Sequence, residues 1–155
     1  MTVPEIIKRN NEKLNQTENK TFVVSQTKLL ATQLLPDLPE GSVDLTDPSQ
    51  VHFYRENKYV KLALEYCKQR RLFTAANRSK KLYVSLEDRV HKHRLVIPFY
   101  NNAEQVVCYQ TRALTSNQFP KYLTKFGEKE LFGVEKLDFS IPYIFIFEGP
   151  IDSMF

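Results

Sequence analysis

Cysteine is scarce in this chain. Only Cys67 and Cys108 carry a thiol among 155 residues, far apart and without a CxxC partner. That excludes an intrachain zinc ribbon and a disulfide framework, and it suits a reducing cytosol. Three histidines, His52, His91 and His93, do not make a zinc site unaided. Long apolar runs are missing too, since no stretch approaches the roughly 20 residues needed to span a bilayer. The opening MTVPEIIKRNNEKLNQ has no apolar core of signal-peptide length. The expectation is a cytoplasmic protein with no membrane partner. What is present is ordinary for a globular chain: 42% hydrophobic and 26% charged residues. Folding at this length buries about 70% of the unfolded surface, enough for one domain or a domain with an arm.

The net charge of +4 is unevenly spread. Residues 1–53 carry five Lys/Arg against seven Asp/Glu, and residues 95–155 again five against seven. Residues 54–94 carry twelve against four, a net +8. A clustered positive field is what a polyanion-binding surface needs, because each neutralised phosphate releases counterions. A solvated helix face followed by a basic loop accounts for the same charges.

Residues 1–20 hold few large apolar groups after Ile7 and read as an arm or linker that does not offset its ordering entropy. TFVVSQTKLLATQLL predicts a brief strand and helix. LPDLPEGSVDLTDPSQ, with three prolines and a glycine, predicts an exposed connector. From Asp47-Pro48-Ser49 the pattern becomes helical, with Tyr59, Val60, Ala63, Leu64 and Cys67 forming one apolar stripe. Lys68, Arg70 and Arg71 gather at its far end, where cations complement exposed carbonyls or meet a ligand. After Asn77-Arg78-Ser79 the period shortens: LYVSL, RLVIPFY and QVVCYQTRAL read as three strands. Asn101-Asn102-Ala103-Glu104 predicts a hairpin turn between the last two. Pro98 places its strand at an edge or a bulge.

The run Pro142 to Phe147 has no polar alternation and predicts a strand buried on both faces, as in a helix-covered parallel sheet. A buried helix competes, limited in length by Gly149-Pro150. No crossover helix or further strand follows, so the expectation is an α/β domain cut off at its beginning. In Phe147-Glu148-Gly149-Pro150-Ile151-Asp152, a carboxylate at the end of such a strand points into the crevice where open α/β sheets bind ligands. Asp152 falls in a first helical turn, where dipole complementarity and a chemical role are both open. Glu148 after Tyr-Ile-Phe-Ile-Phe is costly unless paired, exposed or metal-bound. Hard oxygen ligands there suit magnesium, which needs one or two more carboxylates. Arg112, Lys121, Tyr122, Lys125 and Lys129 bring cations and a ring close in sequence to that corner, equipment suited to phosphates.

The succession Arg94-Leu-Val-Ile-Pro98-Phe-Tyr, Val106-Val-Cys-Tyr-Gln-Thr-Arg112-Ala-Leu, Pro120-Lys-Tyr-Leu, Leu131-Phe-Gly133-Val and Ile146-Phe-Glu-Gly-Pro-Ile-Asp152 resembles the catalytic core of bacterial-type (Toprim) DNA primases. It is most similar to the single-subunit primases of large tailed bacteriophages, over about residues 50–155. The resemblance implies an α+β chain: a basic helix and an antiparallel β-hairpin subdomain, then the first strand of a truncated α/β Toprim domain. Residues 1–46 would be a polar arm and linker, 47–139 the basic amino-terminal subdomain of the RNA polymerase core, and 140–155 the start of Toprim. Arg94 and Arg112 match basic positions flanking the family's hairpin. Lys121 and Tyr122 match a KY pair implicated in nucleotide or nucleic-acid binding. Thr124 stands where the family has Asn, and Gly127 where it has a lysine, with Lys125 and Lys129 nearby. Glu148 matches the Toprim glutamate, the catalytic and metal-binding carboxylate, and Asp152 the aspartate that accompanies it as a metal ligand.

The implied activity is synthesis of short RNA primers on single-stranded DNA for replication, a nucleotidyltransferase reaction releasing pyrophosphate. The implied cofactor is Mg2+ or Mn2+, with zinc only if an upstream ribbon exists in the parent protein. The implied partners are single-stranded DNA, ribonucleoside triphosphates and a replicative helicase. The 155-residue chain alone is expected to be inactive, since one carboxylate cluster is a poor two-metal site. Two alternatives stand beside this reading. One is a non-catalytic single-strand- or helicase-binding module, and the other is part of a different Toprim protein such as a primase–helicase or nuclease.

Overall fold

The computed structural model describes residues 38–125 and 131–155. The expected arm over 1–20 and the expected strand and helix over 21–35 lie outside the described residues. The fold is α+β, built on a five-stranded antiparallel sheet in the order β1-β2-β3-β4-β5. The strands are β1 Ser42–Asp44, β2 Tyr83–Ser85, β3 Arg94–Tyr100, β4 Val106–Ala113 and β5 Tyr122–Thr124. Two helices, α1 Pro48–Phe53 and α2 Lys58–Gln69, lie between β1 and β2 in the chain.

The helices start where side chains can take up free backbone N–H groups. Asp47 accepts from Ser49 N at the head of α1, and Pro48 follows it in the first turn. Asn57 accepts from Tyr59 N at 2.9 Å and Val60 N at 3.3 Å at the head of α2. The end of α2 closes as a Schellman turn: Leu72 N donates to Cys67 O at 2.8 Å and Arg71 N to Lys68 O at 3.1 Å. Arg71 takes the left-handed position, φ 54, that glycine usually fills there. Val60, Ala63 and Cys67, at three- and four-residue spacing, face inward. They pack with Leu72, Leu82, Val84, Leu95 and Ile97 in one core.

The β3–β4 hairpin forms as the alternation predicts, running from Arg94↔Ala113 to Tyr100↔Val106. Pro98 shows how the sheet tolerates a missing donor. β2 pairs only with Leu95 and Val96, so Pro98 lies beyond it, and the register shifts between Phe99 and Tyr100.

Two expectations need correction. The stretch read as an exposed connector contributes β1, in register with β2 from Ser42↔Ser85 to Asp44↔Tyr83. Val43 and Leu45, two residues apart on one strand face, enter the core, while Asp44 between them pairs with Lys81 Nζ at 2.9 Å. The apolar run is not a buried strand: Tyr143 to Phe147 have no regular structure and are exposed, Ile146 to 92%. Among the described residues no strand lies beside it to take its backbone bonds. The chain returns to the core immediately afterwards, where Ile151 and Met154 are buried around a short 3-10 turn, Asp152–Met154. Asn77 N donates to Met154 O at 2.9 Å and fixes that return.

Candidate nucleic-acid interface

β5 is a short edge strand, and its pairing with β4 decides which side chains meet. Arg112 on β4 lies directly opposite Tyr122 on β5. Cross-strand neighbours of this kind place side chains side by side on one sheet face. The Arg112 guanidinium lies 5.0 Å from the Tyr122 ring and 5.0 Å from the Tyr66 ring of α2. Its Nε and Nη1 are buried with no hydrogen-bond partner among the described residues. A flat cation between two rings is a favourable arrangement for Arg, and it concentrates positive charge beside the edge strand. Burial pushes the Tyr66 hydroxyl pKa up, against the opposing pull of the Arg112 charge.

Lys121 is exposed, with its ammonium 5.7 Å from the Tyr122 ring. Phe119, two residues earlier, is 93% exposed. The segment Phe119 to Tyr122 therefore offers an open ring, a cation with no ion pair among the described residues and a half-buried ring in succession. Its path is set by Arg94, which is 3% exposed. Arg94 Nη2 donates to the Pro120 carbonyl at 2.7 Å. Arg94 thus holds the chain just ahead of Lys121 and does not itself face solvent.

A second cluster was not singled out by the sequence reading. Tyr59, assigned there to the apolar stripe, stacks on His93 with ring centroids 3.4 Å apart. Lys58 Nζ lies 4.8 Å from the Tyr59 ring. Tyr59 and Tyr66 are seven residues apart on α2, so they share a face two turns apart, about 10 Å along the axis. The seven-residue spacing of two tyrosines on a lysine-bearing helix was the available signal. At the stacked rise of about 3.4 Å per nucleotide, that distance corresponds to roughly three steps of a strand.

The acidic corner is arranged differently from the sequence expectation. Glu148 is exposed and takes no hydrogen bond or ion pair among the described residues. Asp152 lies 3.7 Å from Arg70 Nη2 at the end of α2, in an exposed pair that ties the last turn to the helix. Neither residue meets Arg94, Arg112, Lys121 or Tyr122 in any hydrogen bond, ion pair or ring contact among the described residues. No group of three His, Cys, Asp or Glu residues placed to hold a metal exists among the described residues. Glu148 and Asp152 therefore do not by themselves fit a magnesium site, which takes about six oxygens in near-octahedral geometry.

Other reactive groups are equally remote from chemistry. Burial pushes the Cys67 thiol to a pKa of about 12, leaving no thiolate at neutral pH. His91 Nδ1 is 2.9 Å from the Thr111 hydroxyl within the buried sheet, and burial lowers its pKa. The exposed equipment consists of cations and rings, suited to holding a polyanion with unstacked bases. No helix among the described residues is long and apolar enough to cross a membrane. Comparison with protein-family models, curated proteins and solved structures finds no match to this chain.

Proposed function

We propose that this chain is the template-holding part of a DNA primase of the bacterial (Toprim) type, an enzyme making short RNA primers on single-stranded DNA. The observation that carries the reading is the Arg112–Tyr122 pair across the β4–β5 edge, with Lys121 open beside it. Lys121 and Arg112 supply charge to the backbone of the strand, and Phe119 and Tyr122 supply ring faces to its bases. Stacking of one base on an aromatic side chain contributes about 1–3 kcal/mol. The order of five primase-like segments along the sequence supports assigning the bound strand to a template. Arg94 acts here as a positioning residue, through Pro120, and not as a phosphate ligand.

Glu148 is the residue that the primase reading assigns to polymer synthesis. Among the described residues it belongs to no group of three carboxylate, His or Cys side chains placed to hold a metal, so the catalytic assignment of Glu148 rests on the sequence resemblance. The exposed ring and cation at the β4–β5 edge also fit a second reading, a single-strand-binding module without chemistry. Labelled-ribonucleotide incorporation on single-stranded template, with magnesium, separates the two. The 155-residue chain should make no primer. A longer chain that adds the Asp-x-Asp carboxylate pairs implied by the primase resemblance should make short RNA, lost in Glu148→Gln. An extension without those carboxylates, or synthesis indifferent to Glu148→Gln, contradicts the primase assignment and leaves the binding module.

A further inference from the structure

A groove of about 470 Å³ opens at the amino-terminal end of α2. It is bounded by Lys58, Tyr59 and Leu62 of the helix, by His93, and by the Thr115, Asn117 and Gln118 side of the β4–β5 loop. Tyr59 and His93 stack face to face, with ring planes only 10° from parallel, as a two-layer plate that leaves each ring only its outer face. The backbone of His93 is left-handed, φ 61, a conformation uncommon outside glycine. It is fixed from both sides: His93 N donates to Ser85 O at 2.7 Å, and Gln118 Nε2 donates to His93 O at 3.2 Å. Gln118 is fully engaged in this bracing, since its Oε1 accepts from Leu114 N and Thr115 N.

Three polar groups around the plate have no hydrogen-bond partner among the described residues: Lys58 Nζ, the His93 ring nitrogens and Asn117 Nδ2. The Asn117 carbonyl oxygen already accepts from the Thr115 hydroxyl, which leaves the amide nitrogen as the donor this lining residue can offer. Burial, with Lys92 and Lys58 nearby, lowers the His93 pKa, so at neutral pH the ring offers one N–H and one acceptor. An ammonium, an amide N–H2 and an imidazole N–H around a π surface ask for a planar ligand rich in acceptors and negatively charged. An apolar ligand would leave these donors unmet, and a simple anion would leave the plate unused.

We propose that this groove binds a nucleotide, with the base against the Tyr59–His93 plate, the phosphate at Lys58 and a base or sugar acceptor at Asn117. The site does not depend on the primase reading, because free nucleotides and nucleotides within a strand present the same chemistry. The test is proton NMR of the three histidines of the whole chain, with His93 assigned from His93→Asn, a residue that tolerates positive φ. Metal-free ATP and a short oligodeoxyadenylate are titrated separately, with inorganic triphosphate as the ring-free probe. The His93 resonance should shift saturably with ATP if free nucleotides are bound, or with the oligonucleotide alone if the ligand is a strand. Inorganic triphosphate should shift it far less. Lys58→Gln should weaken binding about tenfold through loss of a charge-assisted bond. Lys61→Gln, on the same helix but paired to Glu56 outside the groove, should leave binding unchanged. Three results would overturn the proposal: a His93 signal indifferent to both nucleotide probes, an equal response to triphosphate, or equal losses in the two lysine variants.

Discussion

Two apolar runs of similar composition meet opposite fates in this protein. RLVIPFY becomes β3, all seven residues buried. PYIFIF, equally rich in aromatic and β-branched residues, stays exposed and irregular. Propensity does not separate them. β3 has β2 on one side, β4 on the other and α2 across its Leu95–Ile97 face. The Tyr143 to Phe147 run has no strand on either side among the described residues, although the chain is anchored on both flanks. Lys136 Nζ donates to Asn77 O and Arg78 O before it, and Ile151 and Met154 enter the core after it. A strand is made by its partners, and β-propensity measures how well a residue fits a surface that partners provide.

The comparison is sharpest for single side chains. Ile97→Ala should destabilise the protein by about 2–5 kcal/mol, the cost of emptying a packed site, whereas Ile146→Ala should stay within about 0.5 kcal/mol. Urea denaturation measures both, and a large loss for Ile146→Ala would mean that the run is packed in solution. Met154→Ala should resemble Ile97→Ala and not its exposed neighbours, because Met154 is fully buried. A loss under about 1 kcal/mol would show that the last turn does not belong to the core.

Acid should act on the sheet and not on the exposed run. Burial holds the His91 and His93 imidazoles below their ordinary 6.5. The unfolded chain therefore takes up protons first, and stability should fall as pH drops through about 6.5. Burial pushes the Asp44 carboxyl up, but the Thr46 hydrogen bonds and Lys81 outweigh it and leave the pKa below 3.8. Its stabilisation is present above that value and is lost at lower pH as the folded-state carboxylate is protonated. Urea midpoints from about pH 7.5 to about pH 5 should decline, and His91→Gln should flatten the slope. An unchanged midpoint would contradict the burial of these rings. The smallest effect belongs to Asp152→Asn, which removes an exposed pair with Arg70 and should cost less than about 1 kcal/mol.

Local patterns were legible in the sequence and distant partnerships were not. The turn at Asn101 to Glu104, the hairpin arms around it and the Val60, Ala63, Cys67 stripe follow from spacing within a few residues. β1 was hidden among prolines, although the alternation of Val43, Asp44 and Leu45 carries the strand signal; its partner β2 lies some forty residues away. The role of Arg94 was hidden for the same reason, since its contact is with Pro120. Arg112, Lys121 and Tyr122 were named from sequence and lie together across β4 and β5. Glu148 and Asp152 were named with them and make no hydrogen bond, ion pair or ring contact with that cluster among the described residues. Tyr59 and His93 were missed because a ring in an apolar stripe reads as core until its stacking partner is located.

The most direct test is binding of a labelled single-stranded oligonucleotide, followed by fluorescence anisotropy over a range of salt concentrations. Wild-type affinity should fall steadily with salt and exceed that for a duplex of the same length. Lys121→Gln should weaken binding and reduce the slope of log K against log salt by about 0.7, the share of one phosphate contact on a single strand. Salt-independent binding, or a Lys121→Gln variant indistinguishable from wild type, would contradict the assignment of the β4–β5 edge as the strand-holding surface.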